Sequence, residues 1–452
     1  MFSKKKIDYE EIFEYARRSV EKQSHYYDLI ALKNTNKVIT AFRHHQVSDY
    51  YMKPTTGYAY HDVGREKLDD IYAEIFGTEA ALVRSQFVSG THALAVAMLG
   101  NLKRGDVVIG ATGMPYDTMR TIIGYPVKTP GSLVDSGIIY KEIPMSGNYI
   151  DAQAVLKAIT AKTKMVHIQR SCGYSDDRGT LDVASIGRFI DEVHKVRKDI
   201  ICFVDNCYGE FTEEKEPTDV GADLMAGSLI KNLGGGIAPT GGYVAGKKEL
   251  VYNAACRLTV PGLAGEMGAT LGDTAREFYQ GLFLAPHVVK QAIKTAIYAA
   301  AVFHKLGYKV KPVHNEIRHD IIQAITLNTA KNLENFCIAI QLNSPVDAHV
   351  TPIAGHIPGY QDKIIMAAGT FIQGASIELS ADGPMRPPYN AFMQGGLTYE
   401  HGQMAINAAA EMIGEAKVCK KNALGNIILD GEKDETILKS VEEIINTNYK
   451  TK

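Results

Sequence analysis

Short apolar runs alternate with helical stretches along the middle of this chain, and this alternation restricts the fold more than any other feature. Strand-like runs begin near residues 106, 138, 164, 199 and 223, with the sequences DVVIG, IIYKEI, KMVHIQ, DIICFVD and DLMAGS. Helical patterns precede or separate them at 67–76, 91–99, 151–159 and 183–196. This alternation predicts an α/β fold with a mostly parallel sheet that helices cover on both faces. In such sheets the ligand lies at the carboxyl ends of the strands.

The regions on either side of this pattern differ from it. Amphipathic spacing predicts helices at 7–19 and 23–32, and the Gly- and Tyr-rich segment 53–65 is typical of a loop or arm. After a long apolar helix at 287–306, the pattern becomes that of a smaller α+β domain, with helices at 328–341 and 400–416 and strands at 363–371 and 375–382. We therefore predict N-terminal helices and an arm over 1–65, a large domain over 66–290 and a small domain over 291–452.

The composition argues against several classes of partner. The chain has 452 residues, with 49 Lys and Arg against 51 Asp and Glu, so no charge excess favours nucleic acid or an anionic membrane. The longest purely apolar run, 296–303, is far shorter than the roughly 20 residues of a membrane span. The basic start MFSKKK lacks the apolar core of a secretory signal. Six cysteines without a C-x-x-C pair favour reduced thiols. We expect a soluble cytoplasmic protein.

Two residues near predicted strand ends suggest chemistry. Lys231 follows the strand-like run that ends at Ser228 and precedes a Gly-rich loop. Burial there would lower the pKa of its amine and make it a nucleophile or base, although a surface lysine beside a turn is the simpler alternative. Asp205 ends the apolar run FVD. It could hold Mg²⁺ in a nucleotide-hydrolysing protein, but the G-x-x-x-x-G-K-[ST] loop is absent. Alternatively, a buried Asp pairs with the pyridine nitrogen of pyridoxal 5′-phosphate (PLP).

Two further features fit the same cofactor. Ser89, Gly90 and Thr91 precede a strong helical run, and the N–H groups of a helix start together with two hydroxyls suit a phosphate monoester. Ordinary helix capping is the alternative. Tyr116, in GMPYDTM, could stack on a flat ring, although a lone tyrosine is more often a packing residue. Taken together, the four features describe a phosphate cradle, an aromatic plate, an acid for a ring nitrogen and a lysine for an aldehyde.

These motifs carry a family resemblance. The VDN at 204–206, the Ser-x-x-Lys at 228–231 and the Ser-Gly-Thr helix start resemble fold-type I PLP enzymes. Within these the chain, from about residue 58 to 413, is similar to the cystathionine/methionine lyase (transsulfuration) superfamily, especially its methionine γ-lyase-like, aluminium-resistance branch. Three departures concern substrate specificity: Ile230 in place of Thr, Asp117-Thr118-Met119 in place of Gly-Gly-Thr, and QRSCGYS at 169–175 in place of an Asn-Pro segment.

The resemblance implies a role for each matched residue. Lys231 would bind the cofactor covalently and act in catalysis together with Tyr116, which would also stack on the ring. Asp205 would hold the ring nitrogen, and the phosphate would be bound by Ser89, Gly90, Thr91 and Ser228. In relatives, a Tyr and an Arg from the N-terminal arm reach the phosphate of the neighbouring subunit, and here the matching residues are Tyr58 or Tyr60 with Arg65. The resemblance thus implies a homodimer or homotetramer with shared active sites.

The substrate carboxylate requires a cation. Arg386 follows a predicted strand beside rigid prolines, and we predict that it binds this carboxylate bidentately, with Arg257 and Arg170 as competitors and a surface position as the alternative. No H-E-x-x-H or paired C-x-x-C motif occurs, so no metal site is predicted. Glu210 and Glu378 receive no role from the sequence.

A function follows from this reading. The resemblance implies a carbon–sulfur lyase that acts on cystathionine, cysteine or methionine by α,β- or α,γ-elimination and releases keto acid, ammonia and thiol. A PLP-dependent transferase, by γ-replacement or transamination, would use the same residues. A non-catalytic PLP-binding protein is the third possibility.

Overall fold

The computed structural model describes residues 7–58, 61–175, 178–357, 360 and 362–414. Two β-sheets form within these residues. Their strands are β1 (Ala80–Arg84), β2 (Val107–Gly110), β3 (Ile139–Glu142), β4 (Thr163–Gln169), β5 (Ile201–Asp205), β6 (Leu224–Ser228), β7 (Gly242–Gly246), β8 (Lys309–Lys311), β9 (Ile322–Thr326), β10 (Ile364–Ala367), β11 (Ser380–Pro384) and β12 (Asn390–Gln394). The helices are α1 (Tyr9–His44), α2 (Val63–Ile75), α3 (Gly90–Asn101), α4 (Asp117–Ile123), α5 (Ala152–Ala158), α6 (Val183–Val196), α7 (Lys248–Leu258), α8 (Thr274–Lys305), α9 (Ala330–Leu342) and α10 (Tyr399–Ile413).

The larger sheet has seven strands in the order β1-β7-β6-β5-β4-β2-β3. Every pairing is parallel except those of β7, which runs antiparallel to both β1 and β6. Separate apolar clusters pack on its faces, so the predicted mostly parallel α/β sheet is confirmed. The five predicted strands all form. Strands β1 and β7 were not predicted, because AALVR and GYVAG are short and rich in Ala and Gly, which carry little strand signal.

The smaller sheet has five antiparallel strands in the order β10-β11-β12-β9-β8, with α9 against it and α10 against α9. This is the predicted smaller α+β unit. One predicted strand begins late: 375–382 was expected to be extended, but β11 starts at Ser380. The preceding residues form a loop and a turn, and these residues are part of the candidate site described below.

The N-terminal region forms one helix rather than the two predicted. Helix α1 has 36 residues and continues through the polar segment between 19 and 23. Glu, Lys and Gln in that segment are good helix formers, and the buried positions continue through Val20 and Tyr27, so nothing interrupts the helix. Helix α8 likewise begins at Thr274, before the predicted start at 287, and Pro286 lies inside it. The predicted domain boundary at 290 falls within α8 and stays a prediction.

The predicted arm at 53–65 is partly structured. Helix α2 begins at Val63, and Asp62 accepts the N–H of Arg65 as its cap. Bridges join Thr55 to Thr270 and Tyr58 to Met267. Arg65 is therefore a residue of a helical first turn rather than of a loop. Among the described helices, none is both long and apolar enough to cross a membrane.

Candidate active site

Strands β4, β5 and β6 end at one cavity of about 380 Å³, as expected for the carboxyl ends of parallel strands. The structure brings seven of the predicted site residues together around it: Ser89, Gly90, Thr91, Tyr116, Asp205, Ser228 and Lys231. The cavity also has a wall from the segment before β11, formed by Gln373, Gly374 and Ala375.

Lys231 places its amine inside this cavity. Its Nζ donates a hydrogen bond of 2.9 Å to the carbonyl of Ala375 and lies 3.8 Å from the centre of the Tyr208 ring. Burial lowers the pKa of this amine, but Tyr208, Cys207 and Glu210 raise it by more, so the pKa lies above its usual value. The expectation of a lowered pKa is wrong for the cofactor-free chain, because the neighbours of the amine outweigh its burial.

Asp205 is buried at the end of β5, with 2% of its surface exposed. Its Oδ1 accepts the N–H of Cys207 at 3.1 Å, whereas its Oδ2 has no hydrogen-bond partner among the described residues. Burial raises the pKa of the carboxyl to about 6, even though the Cys207 hydrogen bonds, Lys231 and Arg178 all lower it. A buried carboxylate oxygen without a partner is costly, and a cationic N–H in the cavity would relieve that cost.

The start of α3 forms the opposite end of the cavity. Ser89 caps the helix by accepting the N–H of His92 at 3.1 Å, and the first N–H groups of a helix have no acceptor within it. The Ser228 hydroxyl is buried nearby and has no partner among the described residues. A Cβ on Gly90 would lie 2.8 Å from the Cβ of Ser228, so only glycine permits this approach. The hydroxyls and helix start suit a phosphate group.

Tyr116 lies directly before α4 and is half-buried at the cavity wall. It shares a side-chain hydrogen bond with Thr91. Burial, and after it the nearby Asp205 and Cys207, raise the pKa of its hydroxyl well above the usual value. The hydroxyl therefore stays protonated at neutral pH and can donate a hydrogen bond into the cavity.

The predicted arm residues lie elsewhere. Arg65 is buried and donates from Nη1 to the carbonyls of Gly57 and Gly268, at 3.3 and 2.8 Å. It does not line the cavity, because α2 begins early and turns its side chain toward these carbonyls. Tyr58 is 62% exposed and also lies outside the cavity lining, and Tyr60 lies outside the described residues. Their reach into a partner subunit stays a prediction.

Arg386 is also placed away from the cavity. Its side chain is 57% exposed and forms an ion pair with Asp362. The prediction that it binds the substrate carboxylate finds no support within one chain, because this carboxylate partner already occupies the guanidinium. Its competitor Arg257 is exposed on α7. Lys231 is the one cation among the described residues that line the cavity.

Arg170, the other competitor, is fully buried behind β5. Its Nη2 pairs with Glu213 at 2.8 Å, and its Nη1 lies 3.3 Å from Glu216 and 2.8 Å from Asn206. All these partners belong to the segment that follows Asp205. Arg170 is therefore a structural residue that fixes the chain beyond the end of β5.

Replacing Arg170 with alanine is expected to destabilise the protein by about 3–5 kcal/mol, because it leaves the buried Glu216 without its cation and the partly buried Glu213 with only His319 as a basic partner among the described residues. Urea unfolding measures the change. The matched control is Arg257→Ala, which removes an exposed guanidinium and should stay within about 0.5 kcal/mol of wild type. A loss below about 1 kcal/mol for the Arg170 variant would contradict the structural role.

Several cavity residues were not found from the sequence. Tyr208 follows Asp205 by three positions and adopts φ +72°, a strained value for a bulky residue. The sequence signal that could have found Tyr208 is its position three residues after the end of β5. Tyr174 and Tyr360 line the same wall, and Tyr174 packs on Phe392 with ring centres 5.1 Å apart. These residues and Ala375 are far from Lys231 in sequence, so no local pattern could connect them to it.

The fold and the site together define a class. A parallel sheet with a lysine and a buried acid at the strand ends is the arrangement of fold-type I PLP-dependent proteins. One such protein of Escherichia coli shares the fold at 14% identity, with a TM-score of 0.57. The Asp205 and Ser228 oxygens, which lack partners among the described residues, and the close approach of Gly90 to Ser228 all fit the cofactor. Lys231, Asp205, Tyr116 and the start of α3 would hold it.

The chain belongs to the methionine gamma-lyase family, whose sequence model matches residues 9–414, and the family's cofactor is pyridoxal 5′-phosphate. The uncharacterized protein YnbB of Bacillus subtilis (strain 168) is 49% identical over 386 residues, 85% of this chain and 91% of YnbB. A Listeria monocytogenes crystal structure, provisionally named cystathionine beta-lyase involved in aluminium resistance, is 47% identical, with a TM-score of 0.87 over 90% of this chain and 100% of that one. A carbon–sulfur lyase involved in aluminium resistance from Clostridium novyi is 45% identical, with a TM-score of 0.85 over 90% and 96%. The comparisons support a carbon–sulfur lyase.

Proposed function

We propose that this protein is a PLP-dependent lyase that cleaves the carbon–sulfur bond of cystathionine, cysteine or methionine. The observation that carries the proposal is that the Lys231 amine and an Asp205 carboxylate oxygen, which has no partner among the described residues, share one cavity beside the hydroxyls at the start of α3. The names of the Listeria and Clostridium relatives support the same reaction class.

The bound cofactor supplies an electron-accepting ring that stabilises negative charge at the substrate Cα. Asp205 would accept a hydrogen bond from the ring N–H and keep that nitrogen protonated. Lys231, once freed, would remove the Cα proton and return protons at the neighbouring carbons. Ser89, Thr91 and Ser228 would hold the phosphate and so fix the position of the ring.

The leaving sulfur also needs a hydrogen-bond donor. Tyr116 keeps its proton at neutral pH because burial and Asp205 raise the pKa of its hydroxyl. We propose that this O–H group donates to the departing sulfur while the ring of Tyr116 covers one face of the cofactor. Both tasks follow from its place at the cavity wall, directly before α4.

The test is product analysis of the PLP-loaded protein with each amino acid alone. A lyase releases thiol, keto acid and ammonia in equal amounts without a second substrate, and we expect this from at least one of the three. Pyruvate from cystathionine would indicate cleavage at Cβ, and 2-oxobutyrate would indicate cleavage at Cγ. Products that form only after an acceptor thiol or keto acid is added would overturn the lyase in favour of a transferase. A cofactor absorption band that no amino acid changes would indicate a non-catalytic binding protein.

A further inference from the structure

Glu378 is a buried acid that neither the cofactor nor the proposed reaction uses. It is 3% exposed, and within the described part of the chain it forms no ion pair. Its partners are backbone groups: Oε1 accepts the N–H of Phe371 at 3.0 Å, and Oε2 accepts the N–H of Ile372 at 2.8 Å. Ser376 Oγ adds a longer contact of 3.4 Å to Oε2. One side chain therefore binds both ends of the loop 371–376.

This loop has few other attachments at its first half. Phe371 is 71% exposed, Gln373 and Gly374 are exposed, and Ile372 is the one buried side chain among these four. With one apolar side chain packed, this half of the loop keeps its conformation largely through hydrogen bonds. Two of them stay within the segment: the Thr370 hydroxyl donates to the carbonyl of Ile372 at 2.8 Å, and Gln373 Nε2 donates to the carbonyl of Thr370 at 2.9 Å. The two bonds to the Glu378 carboxylate are therefore the ones that tie this half of the loop to the residues after it.

The second half of the loop is tied to the lysine segment. The N–H of Ile377 donates to the carbonyl of Ile230 at 3.0 Å, and Gln394 donates to the carbonyl of Ser376 at 3.0 Å. Ala375 lies between these two hydrogen-bonded residues, Ser376 and Ile377, and the two residues that Glu378 binds, Phe371 and Ile372. Its carbonyl is the acceptor for the Lys231 amine at 2.9 Å. The position of that carbonyl therefore depends on both attachments.

We propose that Glu378 is a positioning residue that fixes the loop 371–376, so that the Ala375 carbonyl holds the free Lys231 amine in the cavity. The carbonyl oxygen and the face of Tyr208 both attract an ammonium group, and together they define where the amine rests when it is not attached to the cofactor. That position sets the distance of the amine from the cofactor and from the substrate Cα. The inference rests on the proposed function only for its kinetic consequence.

The test compares Glu378→Gln with wild type. Glutamine can accept only one of the two N–H groups and turns its own NH₂ toward the other, so we expect faster hydrogen exchange at Phe371 and Ile372 in the cofactor-free protein. We expect attachment of PLP to Lys231, trapped with borohydride, to be slower and to have a displaced pH profile. In the loaded enzyme kcat should fall by about 100-fold with little change in KM, which is the effect of misplacing a reacting group by about 1 Å.

The matched control is Glu334→Gln on α9, a partly exposed glutamate that pairs with Lys331. It should match wild type in every measurement. Gly374→Ala provides a second route to the same carbonyl. Gly374 is exposed with φ +99°, and the one described atom within 4 Å of a Cβ there would be Ile230 Cδ1 at 3.8 Å, so the substitution strains the loop path with little effect on packing. We expect slow attachment in this variant while Phe371 and Ile372 stay protected.

Wild-type attachment rates in both loop variants would overturn the positioning role. Equal hydrogen exchange in Glu378→Gln and wild type would overturn the restraint itself. Exchange and attachment need no substrate, so a protein that passes these tests but cleaves no sulfur amino acid would contradict only the proposed function.

Discussion

Replacing Lys231 with alanine is expected to abolish covalent attachment of PLP and to lower kcat for carbon–sulfur cleavage by at least about 10⁴-fold. The reason is that Lys231 is the one cation among the described residues that line the cavity, so no other described amine there could bind the aldehyde or move the Cα proton. The measurement is the near-visible absorption of the protein after PLP is added, followed by borohydride reduction and mapping of the modified residue.

Lys331→Ala is the matched control, because Lys331 is 71% exposed on α9 and distant from the cavity in sequence. It should keep the wild-type band and the wild-type rate.

Wild-type attachment of PLP should become faster as pH rises, since the surroundings of the Lys231 amine raise its pKa and only the neutral form attacks an aldehyde. A reduced adduct on any lysine other than Lys231 would contradict the assignment.

The strands that could be predicted are those with dense β-branched and large apolar residues. ICFVD and TKMVHIQ form β5 and β4 at the centre of the sheet, where both faces are buried. The edge strand β1 and its neighbour β7 escaped prediction, because both are short and rich in Ala or Gly, and β1 pairs with a strand that is distant in sequence. Helix α8 was predicted too short, since Pro286 normally ends a helix but here lies within a long apolar one.

The site residues likewise divide into those that a local sequence pattern places and those that depend on contacts between distant segments. Asp205 and Ser228 end strands, and Lys231 follows one by three residues, so the sheet topology alone places them together. Arg386 could not be judged from its own neighbourhood, because Asp362, the partner that holds it, comes from a different part of the chain. Nor could a sequence pattern show that the turn before β11 supplies the acceptor of the Lys231 amine. Local order along the chain therefore predicts which residues meet at the strand ends, whereas the contacts between distant segments cannot be read from it.

Replacing Asp205 with asparagine is expected to lower kcat by about 100- to 1000-fold while PLP still binds Lys231. Asparagine keeps the shape of the side chain but cannot stabilise a protonated ring nitrogen, so the ring becomes a weaker electron acceptor. Steady-state kinetics and the absorption band of the loaded variant measure the effect. Asp70→Asn, an exposed substitution on α2, is the matched control and should leave both unchanged.

In the cofactor-free protein the same substitution should have the opposite effect on stability. Burial raises the pKa of Asp205 to about 6 from its ordinary 3.8. The folded chain therefore holds a proton that the unfolded chain releases near pH 4, and the contribution of Asp205 to the free energy of unfolding should fall by about 2–3 kcal/mol as pH rises from 4 to 7. Asp205→Asn lacks this fall, so near pH 7.5 it should unfold at higher urea concentration than wild type, with little difference at pH 4. Bound PLP should remove the advantage, because its ring N–H gives the carboxylate a partner. Identical pH dependence of urea unfolding in the two cofactor-free proteins would mean that Asp205 already has a partner and does not await a cationic ring.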